Sequence, residues 1–251
     1  MKLRIAAPDA SGLPYQFLAT YLVNDAVALD AGCLGLLPLE TQQRIEHVFL
    51  SHSHLDHIAT LAIFLDNVYR PGPQCPRIYA LRETWEALGH YFFNDVVWPD
   101  LVRLSREEFP FVKFHELQPN TTVRAAGVRI TPLPLNHVVP TCGFLVEDDV
   151  AAVALVSDTG PTDDVWRILN GVPNLRGLFL EASFPNRMQW LADKTRHLTP
   201  RTFAEEIAKL RPDVPRYVVH VKPAFFGEVA AEIDRLKTGE VARANVVYNF
   251  E

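Results

Sequence analysis

Apolar positions along this chain fall in short runs separated by turns, with few long helical stripes. Tyr15 to Val23 and Ala26 to Leu29 predict strands around an Asn24-Asp25 turn. Ile45 to Leu50 predicts a buried strand, and Ile58 to Val68 a helix. Pro71, Pro73 and Pro76 mark a loop before a strand at Arg77–Ala80 and a helix at Glu83–Phe93. Several short strands are expected between Phe111 and Leu135, with turns at Pro119-Asn120 and Ala126-Gly127. Cys142–Val146 and Val150–Val156 then pair around Glu147-Asp148-Asp149. A short helix (Asp163–Leu169) and a buried strand (Leu175–Leu180) follow, then a polar stretch. Thr199 caps a helix that begins at Pro200 and carries Phe203, Ile207 and Leu210 on one face. Tyr217–Val219, a helix at Glu228–Leu236 and a strand at Val246–Phe250 close the chain. With no internal repeat, low-complexity segment or linker in view, the pattern predicts one α/β domain over residues 1–251, rich in antiparallel or mixed sheet.

Composition narrows the function. Hydrophobic residues make up 48% and charged residues 22% of 251, the balance of a globular protein. No apolar run approaches the ~20 residues of a membrane span, and Met1-Lys2-Leu3-Arg4-Ile5 lacks the apolar core of a secretory signal. Cys33, Cys75 and Cys142 are an odd set without pair spacing, which fits a reducing compartment and a cytoplasmic location. The net charge of −6 argues against general binding of long nucleic acid. Divalent ions would invert that charge locally and admit a small anionic substrate.

The chemistry concentrates in Ser51-His52-Ser53-His54-Leu55-Asp56-His57, between a predicted strand and a predicted helix. Imidazole and carboxylate suit zinc, manganese or iron. On such a turn His52 and His54 can serve one ion while Asp56 and His57 serve a second. His137, Asp158, Glu181 and His220 each lie at or just beyond a predicted strand end, where loops build sites. His137 would complete the first ligand set, His220 the second, and Asp158 can bridge because a carboxylate has two oxygens. Structural zinc sites favour cysteine and four ligands; no Cys pair lies here, so the set reads as hydrolytic. Asp30 is either an orienting partner for a metal-bound His or a turn residue before Gly32. The aromatic segment around Asn94 and Trp98 reads from composition as a helix end packed on the core, with a ring-stacking pocket wall as the alternative.

The seven-residue turn, followed in order by His137, Asp158 and His220, resembles the metallo-β-lactamase superfamily over nearly the whole chain. That resemblance implies an αββα sandwich of mixed sheets flanked by helices, with a dinuclear metal site at one edge. His54-Leu55-Asp56-His57-Ile58, Phe93 to Pro99, Glu181-Ala182-Ser183-Phe184-Pro185-Asn186, His197-Leu198-Thr199-Pro200 and His220-Val221-Lys222 resemble the class II cyclic-nucleotide phosphodiesterases. Thr60 and Leu65 stand where that family tends to have small residues, which leaves the choice of cyclic nucleotide open.

The implied reaction cleaves the 3′ phosphoester of a 3′,5′-cyclic nucleotide, cyclic AMP first, with a hydroxide bridging two divalent ions as nucleophile. Zinc is the first expectation for the ions, manganese or iron the alternatives. His197 is the candidate proton donor to the leaving oxygen, held by Glu181 with Asp56, unless it is only a neighbour of the following helix cap. Lys222 would pair with the phosphate or be solvated, and Asn94 and Trp98 would touch the nucleotide. The competing readings are a tRNA 3′-end endonuclease, which wants a basic surface and a protruding Gly/Pro-rich arm not evident here, and a metal-containing protein that binds a nucleotide without cleaving it. A homodimer is compatible with the sequence.

Overall fold

The computed structural model describes residues 1–8, 16, 18–106 and 109–251. It divides into two compact units, one mainly Leu18–Gln118 with Leu3–Gly12, the other mainly Pro119–Glu251.

In the first unit β1 (Lys2–Ile5), β2 (Tyr21–Val23) and β3 (Val27–Leu29) form an antiparallel meander. Asn24 and Asp25 both take positive φ in the β2–β3 turn, which suits a tight hairpin. Of the strand predicted from Tyr15 to Val23, Tyr21–Val23 is strand; residues 16 and 18–20 are not, and residues 15 and 17 lie outside the described set. A short helix α1 (Leu39–Gln42) leads to β4 (His47–Phe49), parallel to β3. The helix expected at 58–68 is two helices, α2 (Leu55–Ile58) and α3 (Leu61–Val68), broken at Thr60. The Thr60 hydroxyl donates to Ala31 O and accepts from Gly35 N, so side-chain bonding to a neighbouring loop outcompetes helix continuity. β5 (Arg77–Ala80), α4 (Arg82–Tyr91), α5 (Leu101–Leu104) and β6 (Lys113–Glu116) follow, β4, β5 and β6 running parallel. Val48, Leu50, Ile78 and Ala80 pack on Phe64, Leu65 and Leu88 of α3 and α4.

In the second unit β7 (Val123–Ala125), β8 (Val128–Pro134), β9 (Cys142–Glu147) and β10 (Ala152–Val156) are antiparallel neighbours. After α6 (Asp164–Asn170), β11 (Leu175–Glu181) lies parallel to β10. The polar stretch hides a helix, α7 (Gln189–Thr195), whose sequence offers only Ala192 to the interior. Helix α8 (Pro200–Ile207) starts as predicted, with Thr199 and Thr202 forming a capping box. β12 (Arg216–Val219) and, after α9 (Phe226–Leu236), β13 (Glu240–Val241) extend the parallel part. The strand order in this mixed sheet is β13-β12-β11-β10-β9-β8-β7, and Phe203, Ile207, Val229 and Ile233 cover it from α8 and α9. β14 (Val247–Asn249) ends the chain beside Met1, whose carbonyl accepts from Phe250 N at 2.8 Å.

The two units share a plan that residue identity hides. In each, two antiparallel pairings are followed by three parallel ones, β1 to β6 in one and β8 to β13 in the other. Parallel strands send their C-terminal ends to a common edge, where ligands collect in α/β sheets. Each unit therefore presents its strand-end loops together.

Candidate active site

In the first unit the β4 strand end delivers Ser51 and His52, and α2 carries Asp56 and His57. His52 and His57 are fully buried; His54 and Asp56 are half-buried. Asp30, at the end of β3, is buried and organises the turn. Its carboxylate accepts from Ser51 N at 2.8 Å, from Ser51 Oγ at 2.9 Å, and lies 2.7 Å from His57 Nδ1. Of the two readings open for Asp30, the orienting partner is the one its geometry fits. A carboxylate on Nδ1 fixes that nitrogen as the donor and leaves Nε2 as the ligand atom of His57. Ser51 Oγ also lies 2.9 Å from His52 Nδ1, so one hydroxyl joins both imidazoles to the same carboxylate.

Gly32 is required by this turn. A Cβ there would lie 2.1 Å from Asp56 O and 2.7 Å from the Ala19 backbone, closer than packing allows. Gly32→Ala is expected to lose about 1–3 kcal/mol of stability, read as a lower urea midpoint at unchanged slope. It should also weaken metal retention, because the clash pushes on the residue that bears the Asp56 side chain.

In the second unit four strand ends contribute. His137 follows β8 and is buried; its Nδ1 lies 3.1 Å from Arg196 O. Burial pushes the His137 imidazole towards the neutral form, against the pull of Asp158, and the neutral form is the one that ligates metals. Asp158 follows β10 and is 1% exposed. Its Oδ2 lies 4.0 Å from His137 Nε2 and its Oδ1 3.3 Å from His220 Nδ1, so its two oxygens face two different imidazoles.

Glu181 ends β11 and is fully buried. It accepts from Thr159 N at 2.7 Å and from Ser183 Oγ at 2.7 Å, and lies 2.8 Å from His197 Nδ1. Burial pushes the Glu181 carboxyl up, but the charge and hydrogen bond of His197 outweigh it and hold it below the usual carboxylate range. For His197 burial favours the neutral ring, and Glu181 outweighs it, so the imidazole pKa is raised above its ordinary value. Ser183 Oγ, which the sequence reading missed, also lies 3.1 Å from His220 Nδ1 and 3.3 Å from His197 Nδ1. A serine two residues past a strand-end carboxylate is the signal that marked it.

This buried acid–hydroxyl–imidazole arrangement, Glu181–Ser183–His197, repeats the chemistry of Asp30–Ser51–His57 in the other unit. Ligand atoms of Asp158, His197 and His220 lie within 4.8 Å of one another, and the His and Asp side chains of the chain make groups able to hold metal ions. Imidazole and carboxylate donors with fixed tautomers fit zinc, iron or manganese.

Asn94 and Trp98 lie in the loop after α4. The Asn94 Oδ1 accepts from Val96 N and Val97 N, and its Nδ2 donates to His90 O, so the side chain folds its own loop. Trp98 is half-buried against the first unit's core. Lys222 follows His220, its backbone N donating to Ser183 O at 3.1 Å. Thr60 and Leu65, where the sequence departs from the phosphodiesterase pattern, are both buried, Leu65 in the α3 core.

A family model described as a β-lactamase superfamily domain matches residues 28–221. The chain belongs to the metallo-β-lactamase superfamily. Two mixed sheets flanked by helices are the architecture of that superfamily. Among its members, a probable 3′,5′-cyclic-nucleotide phosphodiesterase from Yersinia pestis is 28% identical over 249 residues, 89% of this chain and 69% of its own length. A ribonuclease Z from Mycobacterium bovis is 30% identical over 164 residues, 61% of this chain and 55% of its own. The crystal structure of unliganded yeast PDE1 superposes with a TM-score of 0.76 at 17% identity, covering 97% of this chain and 96% of that one. At that identity the likeness establishes the superfamily fold.

Proposed function

We propose that this superfamily member is a dinuclear metallohydrolase that opens a 3′,5′-cyclic nucleotide at its 3′ phosphoester. His52, His54 and His137 would hold one ion and Asp56, His57 and His220 the other, with Asp158 placed to serve both. The reading is carried by the Asp158 carboxylate, which offers one oxygen to His137 and the other to His220. The Yersinia pestis relative supports the substrate class. When bound, the two ions neutralise phosphate charge and supply activated water.

The chain's own residues do the rest. Asp30 and Arg196 O hold His57 and His137 in the tautomer that ligates through Nε2. Glu181 keeps His197 cationic, so its Nε2–H can donate to the 3′ oxygen as the P–O bond breaks. Lys222 attracts the phosphate, and the Asn94–Trp98 loop borders the nucleotide.

Metal-replete protein is expected to convert 3′,5′-cyclic AMP to 5′-AMP and to lose that turnover on chelation, with ion replacement restoring it. Release of 3′-AMP would reverse the assignment of the leaving oxygen. The Mycobacterium bovis relative gives precursor tRNA standing as the second substrate. The net charge of −6 weighs against it. Cleavage of tRNA by protein inert to cyclic AMP would transfer the assignment.

A further inference from the structure

We propose that Arg196 is a positioning residue that locks the metal ligand His137 and the proton donor His197 into one geometry; the inference rests on the reading of these residues as an active site. Arg196 and His137 are 59 residues apart and exchange two hydrogen bonds. His137 Nδ1 lies 3.1 Å from Arg196 O, and an Arg196 guanidinium N–H donates to His137 O at 2.6 Å. The first bond leaves Nε2 of His137 for a metal. The second holds the His137 backbone against the carbonyl that makes the first, so the ring closes on itself.

Arg196 itself sits at the C-terminal cap of α7 with φ +53° and ψ +58°, a left-handed conformation that costs a non-glycine residue. The next residue is His197, whose N donates to Ala192 O at 2.9 Å and whose ring is held by Glu181. Gly160, two residues beyond Asp158, is a close neighbour of Arg196. A Cβ placed there would lie 3.4 Å from the Arg196 Cα and Cβ. One residue thus touches the His137 loop and the loop after Asp158, and leads directly into His197. Nothing in the α7 sequence calls for arginine at that cap: glycine would take the same φ without strain. The guanidinium bond to His137 is what arginine adds.

The test measures metal affinity, independently of any substrate. Zn2+ is titrated in competition with a chromophoric chelator, and the Co2+ absorption spectrum reports ligand geometry, in wild type, R196A, R196K and R196G. R196A is expected to bind one of the two ions about 10- to 100-fold more weakly, as for loss of other outer partners of metal-bound histidines. R196K can donate to the same carbonyl and should recover most of that loss. R196G relieves the left-handed strain but removes the guanidinium, so it should bind as weakly as R196A. Wild-type affinity in R196A, or in R196G alone, overturns the proposal; if R196A fails to fold by circular dichroism, R196K and R196G decide it. Two tightly bound ions in wild type without cyclic-nucleotide turnover would remove the substrate reading and leave Arg196 under the same test.

Discussion

Asp158→Ala is expected to leave the protein folded, unable to retain two ions through desalting, and without measurable turnover. The effect is large because three consequences coincide. The residue is 1% exposed, and its oxygens face His137 Nε2 at 4.0 Å and His220 Nδ1 at 3.3 Å. As the proposed shared ligand, this carboxylate would contribute a bond to each ion and the negative charge that lets two cations approach. Alanine removes both bonds and that charge, and leaves a cavity that water fills without replacing the charge. Asp158→Asn keeps the shape and one good acceptor, and should bind the first ion while losing the second. Elemental analysis of the desalted proteins reads the stoichiometry, and circular dichroism of the metal-free forms checks folding. Two ions retained tightly by Asp158→Ala would refute the bridging role.

His197→Ala should have the opposite signature: both ions kept, and kcat lower by ~10²–10⁴, the range for loss of a general acid. Glu181 spends its carboxylate on this imidazole, on Ser183 and on two backbone N–H groups, Thr159 and Leu198. A buried carboxylate beside an imidazole raises that ring's pKa, which is what a proton donor would need. Glu181→Gln should lower kcat in the same direction, because the neutral amide no longer favours the imidazolium. The distances supply the competing role, since ligand atoms of His197, Asp158 and His220 lie within 4.8 Å of one another. Metal content therefore decides between them. Loss of an ion in His197→Ala would make it a ligand, and an unchanged rate in the metal-replete variant would remove it from the chemistry.

Most strands were legible because their apolar runs are buried on both faces or alternate, and turn residues bound them. Arg77–Ala80 has the predicted bounds, and the Thr199-Pro200 start of α8 carries its cap. The misses have local causes. Helix α7 is short and offers one buried residue, so it has almost no apolar stripe to read. The run from Ile58 to Val68 reads as one helix, but Thr60 breaks it by bonding to Gly35 and Ala31, 25 and 29 residues earlier in the chain.

Thr60 and Leu65 teach a related point. Read against the phosphodiesterase pattern, they cast doubt on the substrate pocket, yet both are buried, Thr60 as a link between loops and Leu65 in the core. A departure from a motif locates a difference without saying which surface it alters. The shared plan of the two units was equally invisible, since strand direction and order leave no repeated residues behind.

The sequence by itself determined the family, and it supplied the candidate ligands. Histidine and aspartate are donors that divalent ions accept, and that chemistry is legible in residue type and spacing. Only the tertiary structure decided which group orients which: Asp30 on His57, Arg196 on His137, and Ser183 joining Glu181, His197 and His220. These partners are separated by up to 59 residues. They become neighbours because parallel strands carry their C-terminal ends to one edge within each sheet. A hydrogen bond depends on position to a few tenths of an ångström, which folding sets and spacing along the chain does not.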